Sequence, residues 1–269
     1  MNRKNKILVS CGILLIVLSV AFKLFLDSVY RIPILMYHSI EYTPNKKDKI
    51  TVSPDAFTRQ MKFLHDRKYN VIPLEEAVSY IREKKRPPAR TVAITFDDGY
   101  ENNYKYAYPA LKRYHMPATI FIITDKVGKN DFMDWGQINE MSASGIIDIE
   151  SHTISHAWLK YIDDKKLKDE LAGSKEVLEK MTGKKIKFIC YPMGGYNEHV
   201  KSMAKDAGYE AGFATKPTRL APSYDVYEIK RVRISPTADN LFVYWIKLSG
   251  YHAFFRALHE DSKKTDIVK

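Results

Sequence analysis

Cysteine is scarce in this 269-residue chain, which holds only Cys11 and Cys190. Two cysteines, one of them in an apolar N-terminal run, exclude a disulfide scaffold. Glycine- and serine-rich linkers, internal repeats and low-complexity stretches are also lacking, so nothing divides residues 31–269 into smaller units. Disorder is excluded by composition: 45% hydrophobic and 28% charged residues suit a chain that buries a core. Acidic residues are in deficit, 32 against 43 Lys and Arg, for a net charge of +11. Such a balance raises nucleic acid, anionic membranes and acidic wall polymers as partners. The basic residues are scattered and read as solvated helix faces, so no nucleic acid partner is expected.

Only one long apolar run exists. Ile7 to Phe22 carries no charge, Lys23 interrupts it, and Leu24 to Leu26 continue it. With Lys23 snorkelling, this stretch suffices to cross a bilayer. Arg3, Lys4 and Lys6 before it predict a cytoplasmic N-terminus and export of the rest of the chain. Residues 1–30 are therefore expected to be a flank and single-pass membrane anchor, and 31–269 an extracellular domain. A cleaved signal peptide is the rival, with Ser19-Val20-Ala21 as a weak cleavage site and a secreted product. Leu8-Val9-Ser10-Cys11 is no lipidation box, because the apolar run comes after it. Without residues 1–30 the net charge is +8, and the single remaining cysteine raises no pairing problem outside the cell.

Beyond Arg31, short apolar runs alternate with helical patterns. Strands are expected at 32–37, 91–96, 118–123, 146–150, 186–190, 211–214 and 229–234. Helices are expected after the Ser53-Pro54 cap and over 74–84, 101–114, 136–143, 163–181 and 198–207. The aromatic tail from Asn240 to His259 is also read as helical. This alternation predicts a parallel sheet with helices outside it, open or closed into a barrel. In either geometry the active site gathers at the C-terminal strand ends.

Three polar clusters sit at such ends. Thr95-Phe96-Asp97-Asp98-Gly99 places two carboxylates side by side. They repel, and a nearby cation resolves this by taking one as ligand and leaving the other as base. His152-Thr153-Ile154-Ser155-His156 puts two imidazoles at i, i+4, on one face if the stretch is a helical turn. Two His with a carboxylate form a metal site with open positions for water. Cys190-Tyr191-Pro192-Met193-Gly194-Gly195 brings bare backbone near a ligand, and its N–H groups could receive an oxyanion.

Together these clusters resemble the polysaccharide deacetylases, carbohydrate esterase family four. Thr95 to Gly99 matches that family's first motif in full, and His152 to His156 matches its His-[Ser/Thr]-x-x-His motif, in the same order and at the same separation. Leu35-Met36-Tyr37-His38-Ser39-Ile40 is similar to the opening strand of the branch that includes the biofilm poly-N-acetylglucosamine deacetylases. The resemblance implies a distorted, incomplete (β/α) barrel and metal-dependent removal of N-acetyl groups from an amino-sugar polymer by a monomeric enzyme. It implies Asp98, His152 and His156 as ligands of one divalent ion. Zinc is the first choice, and cobalt, nickel or iron also suit the donors. It makes Asp97 the general base, and Met193, Tyr191 and Gly194 the oxyanion and substrate-binding residues.

The sequence departs from the family at three points. Cys190 stands where an arginine usually orients the base; Arg231 is preferred over Arg233 as its replacement. Asp131 and Trp135 imitate an Asp-x-x-x-Trp motif but precede the second cluster, so that match is taken as coincidence; Trp135 is expected at most to border the sugar groove. The Leu-x-His motif that supplies the acid is missing, and neither His252 nor His259 restores it. His38 is a candidate for supporting the site from behind. A silent glycan-binding protein of the same fold is the alternative, and the intact Asp97, Asp98, His152 and His156 argue against it.

Overall fold

A computed structural model describes residues 3–42, 49–215, 224–252 and 254–256. A helix, α1 (Arg3–Val29), leads into strands β1 (Ile34–Tyr37), β2 (Ser39–Ile40), β3 (Thr51–Val52) and β4 (Asn70–Val71). Then come β5 (Thr91–Phe96), β6 (Ala118–Ile122), β7 (Ile147–Ser151), β8 (Phe188–Cys190), β9 (Ala211–Ala214), β10 (Ile229–Lys230) and β11 (Val232–Arg233). β5 to β9 lie side by side in chain order, and β1 flanks β5, all parallel. Parallel neighbours need crossovers, and the helices between strands supply them.

The sheet nearly closes into a barrel at one short segment. β10 pairs with β9 while β11, two residues on, pairs with β1. The expected strand over 229–234 is thus broken at Arg231, because its halves must reach neighbours on opposite sides of the seam. Barrel strands alternate in and out, and two core clusters obey that alternation. Ile34, Ala93, Phe121, Phe188, Cys190, Ala211 and Phe213 pack together inside, closed from below by Leu74, Ala77 and Val78. Their intervening neighbours, among them Leu35, Ile94, Ile120, Ile149 and Ile189, pack outward with the helices.

Several expected helices are shorter or irregular. The stretch 101–114 is helical only through a π-turn at Asn103–Ala107 before Tyr108–Tyr114. The long helix over 163–181 likewise contains a π-turn, Asp169–Gly173, between Asp164–Lys168 and Ser174–Thr182. Ser53 caps the helix Pro54–Asp66 through its side chain, as its sequence predicts. In the tail the helix is Leu241–Lys247, and His259 lies outside the described residues. α1 is apolar from Val9 to Val29 and exposed along most of that span, with Val29 buried at its end. Arg31 N–H donates to Gly250 O at 2.8 Å and joins the end of α1 to the barrel.

Candidate active site

Strand alternation decides which motif side chains meet. In β5, Ala93 and Thr95 face inward, so Asp97 does as well. In β8, Phe188 and Cys190 face inward, and in β1 the same parity carries Ile34 toward His38 at the strand end. Asp97, Asp98, His38 and His152 are all buried at one end of the barrel, and His156 stands at its edge.

Asp98 Oδ1 lies 3.3 Å from His152 Nε2 and 3.6 Å from His156 Nε2. The donor atoms of the three residues lie within 4.8 Å of one another. His152 Nδ1 sits 2.7 Å from the Cys190 carbonyl. A carbonyl only accepts, so Nδ1 carries the hydrogen and Nε2 turns its lone pair toward Asp98. Two imidazole lone pairs facing a carboxylate fit a divalent ion. Asp97, His152 and Cys190 form a second cluster of potential donors. It suits an ion poorly, because Arg231 already holds Asp97 and donates to the Cys190 sulfur at 2.9 Å.

The His152–His156 stretch is a loop, not a helical turn. Thr153 and His156 adopt left-handed φ of 68° and 63°, and the imidazoles converge through a loop. Asp98 (φ 73°) and Met193 (φ 53°) share that unfavourable region. Four such non-glycine residues around one site mark a backbone held by its surroundings. Glu170 is one such support, and no local sequence pattern signals it. Its buried carboxylate accepts from the Ile154 and Ser155 N–H groups, each at 2.9 Å, and from the Ser155 hydroxyl.

Arg231 grips Asp97 with two parallel hydrogen bonds, Nη1 to Oδ1 at 2.6 Å and Nη2 to Oδ2 at 2.7 Å. Nη1 also donates to Thr95 Oγ1 at 3.0 Å, and the guanidinium lies over the Phe121 ring. Burial works to raise the Asp97 pKa, but the Arg231 charge and hydrogen bonds outweigh it and hold the carboxyl far below the usual range. Asp97 is therefore ionised at every physiological pH. Arg233 does not reach this pair; its carbonyl accepts from Lys247 Nζ.

His38 Nε2 lies 3.9 Å from Asp97 Oδ2, and its buried Nδ1 finds no partner among the described residues. Burial lowers its pKa, against the opposing pull of Asp97 and Asp98. Tyr191, an expected substrate contact, is not at the mouth. It points outward from the barrel, fully buried, with its ring stacked on Tyr196. Pairing parity requires this, since the preceding Cys190 points inward. Met193 is exposed at the mouth, and the hydrogen bonds of its turn come from Gly194 and Gly195, which leaves its own N–H out of them. Gly194 shapes that turn: its φ is +68°, and a Cβ would come within 2.7 Å of Thr215 Oγ1. Trp135 is half-buried and packs on the core where its helix starts. His252 lies at the opposite end of the barrel, in a pocket with Ile32 and Pro33.

A sequence profile described as polysaccharide deacetylase matches residues 84–212. The Bacillus subtilis protein YxkH, a polysaccharide deacetylase by name, is 39% identical over 206 residues, covering 77% of this chain and 72% of that one. A Staphylococcus aureus poly-beta-1,6-N-acetyl-D-glucosamine N-deacetylase is 35% identical over 218 residues, 75% of this chain and 73% of that one. The Streptococcus pyogenes deacetylase PplD, solved with acetate, superposes with a TM-score of 0.73 at 29% identity, over 79% of this chain and 97% of that one.

Proposed function

Because the chain belongs to the polysaccharide deacetylase family, carbohydrate esterase family four, we propose that it hydrolyses the acetamide of N-acetylhexosamine units in an extracellular polymer and releases acetate. One observation carries the reading: a carboxylate held ionised, Asp97, stands beside a separate Asp98–His152–His156 donor set. In this proposal Asp98, His152 and His156 hold one divalent ion, zinc first among those that suit the donors. When bound, such an ion polarises the acetamide carbonyl and acidifies water.

The protein's own groups divide the remaining work. Asp97 takes the proton of the attacking water. Arg231 fixes both Asp97 oxygens, so the base cannot rotate away from its task. The Met193 N–H, at the mouth and outside the hydrogen bonds of its own turn, donates to the carbonyl oxygen as negative charge develops there. The departing amine needs a proton, because an amide anion leaves poorly. In this reading His38 delivers it: Nε2 faces the site next to Asp97, and Nδ1 has no competing partner among the described residues.

The same proposal assigns α1 as a single-pass anchor with the barrel outside the cell. The apolar span from Val9 to Val29, exposed along most of its length, and the basic residues before it support that orientation. Acetate release from β-linked N-acetylglucosamine oligomers, with and without divalent metal, tests the activity. Metal-dependent acetate from wild type and none from Asp97→Asn is the expected result. No acetate from any amino-sugar polymer would sink it.

A further inference from the structure

Three residues beyond His156 the chain starts a single tight turn, Leu159–Tyr161. Leu159 is buried and anchors it, and the Tyr161 N–H closes it onto the Trp158 carbonyl at 3.0 Å. That leaves two large aromatics outside, Trp158 at 43% exposure and Tyr161 at 69%. Their rings meet edge to face with centroids 4.8 Å apart, and Lys160 Nζ sits 4.9 Å and 4.6 Å from the two centroids. The pair is braced against itself rather than free to swing.

A second observation ties the indole to the active site. A Cβ placed on Gly195 would run into Trp158 Cδ1 and Nε1. Gly195 has an ordinary φ of −82°, so its backbone alone does not require glycine. The close approach of the indole does. Gly195 comes just after Met193 and Gly194, and Trp158 just after His156. The indole thus bridges the loop of the expected metal ligands and the loop of the expected oxyanion donor. Of its neighbours there, Met193 is exposed and His156 is half-buried.

A rigid, half-exposed aromatic face at such a mouth suits a flat, partly apolar ring. The C–H face of a pyranose is one, and a pre-set indole binds it with little loss of rotamer freedom. We propose that Trp158, seated on Gly195, is the stacking platform for a hexosamine ring adjoining the one whose acetamide is cleaved, with Tyr161 extending the platform along the polymer. This rests on the deacetylase reading, and it adds a site that selects linked hexosamines over a single one.

The test uses the full chain in detergent with β-1,6- and β-1,4-linked N-acetylglucosamine pentamers and with the N-acetylglucosamine monosaccharide. Trp158→Ala is expected to raise KM for the preferred pentamer about tenfold with a much smaller change in kcat, which brings pentamer and monosaccharide efficiencies closer together. Gly195→Ala displaces the indole and is expected to act in the same direction, and the double variant to be no worse than Trp158→Ala alone. Trp158→Phe restores most of the loss. Calorimetric titration of the pentamer measures the platform even if no acetate is released, so failure of the platform and failure of the deacetylase reading stay distinguishable. Unchanged pentamer affinity in a folded Trp158→Ala chain, a loss equal for monosaccharide and pentamer, or additive effects of the two substitutions would overturn the proposal.

Discussion

Replacing Arg231 with methionine tests the central electrostatic argument of the site. Methionine fits among Phe121, Cys190 and Thr95 but removes the cation that bonds both oxygens of Asp97. Asp97 is then a buried carboxylate without that counterion, at 1% exposure. Breaking a buried pair from one side costs roughly 3–5 kcal/mol, a large part of the total 5–15 kcal/mol of a typical domain. For a domain of this size that lowers Tm by about 10 °C at neutral pH. The pH dependence gives a second readout. In the wild type the folded Asp97 pKa lies below its unfolded value, so the pair stabilises fully above that unfolded value and its contribution is lost on acidification. In Arg231→Met the strongest charge opposing burial is gone, only the weaker pulls of His152 and His38 remain, and the folded pKa rises. The stability gap between the two proteins is therefore widest near neutrality and narrows as pH falls toward about 4, the unfolded carboxylate value. Thermal melts of the full chain in detergent, monitored by circular dichroism from neutral to acid pH, measure it. Asp97→Asn/Arg231→Met, with both charges gone, is expected to recover much of the loss. A melt within about 2 °C of wild type at neutral pH, or a gap independent of pH, would refute the argument.

Four further outcomes are expected. Asp97→Asn retains divalent metal while losing activity, whereas His156→Ala loses metal; equal metal loss in both, by equilibrium dialysis, would merge roles assigned separately. His38→Gln lowers kcat about 10²- to 10⁴-fold and abolishes the alkaline fall of its pH profile, since the acid must be protonated to work; an unchanged alkaline limb places the donor elsewhere. Glu170→Gln removes the charge and replaces one of the two acceptor oxygens with a donor NH2, and weakens zinc affinity on the order of tenfold in a competition titration; undiminished affinity would show that the loop holds its shape alone. Alkaline carbonate leaves the full chain in the membrane pellet if α1 is an uncleaved anchor, and recovery in the supernatant would favour cleavage.

Much of the architecture is legible from local pattern. The strands at 91–96 and 211–214 begin and end as their apolar runs predict, and Ser53 caps its helix. Departures fall where longer-range packing overrides local pattern. The π-turns at 103–107 and 169–173 leave no signature in apolar spacing, and residues 152–156 are a loop although their i, i+4 histidines read as a helical turn. Tyr191 lies away from its expected place at the mouth because strand parity outranks loop chemistry. Counting alternately from inward-facing Cys190 turns it outward.

By itself the sequence determined which chemistry is available. Asp97-Asp98 and His152 to His156 are contiguous, each comes after an apolar strand, and parallel strands with helical crossovers bring successive strand ends to one face. Tertiary structure alone decided which groups act on one another. Arg231 meets Asp97 across 134 residues of chain because the barrel closes at its segment. Glu170 supports the histidine loop from a helix, and Trp158 meets Gly195 from a neighbouring loop. Propensity and motif spacing act over a few residues, while a charge pair or a packed ring is specified only when closure of the sheet brings distant segments within contact.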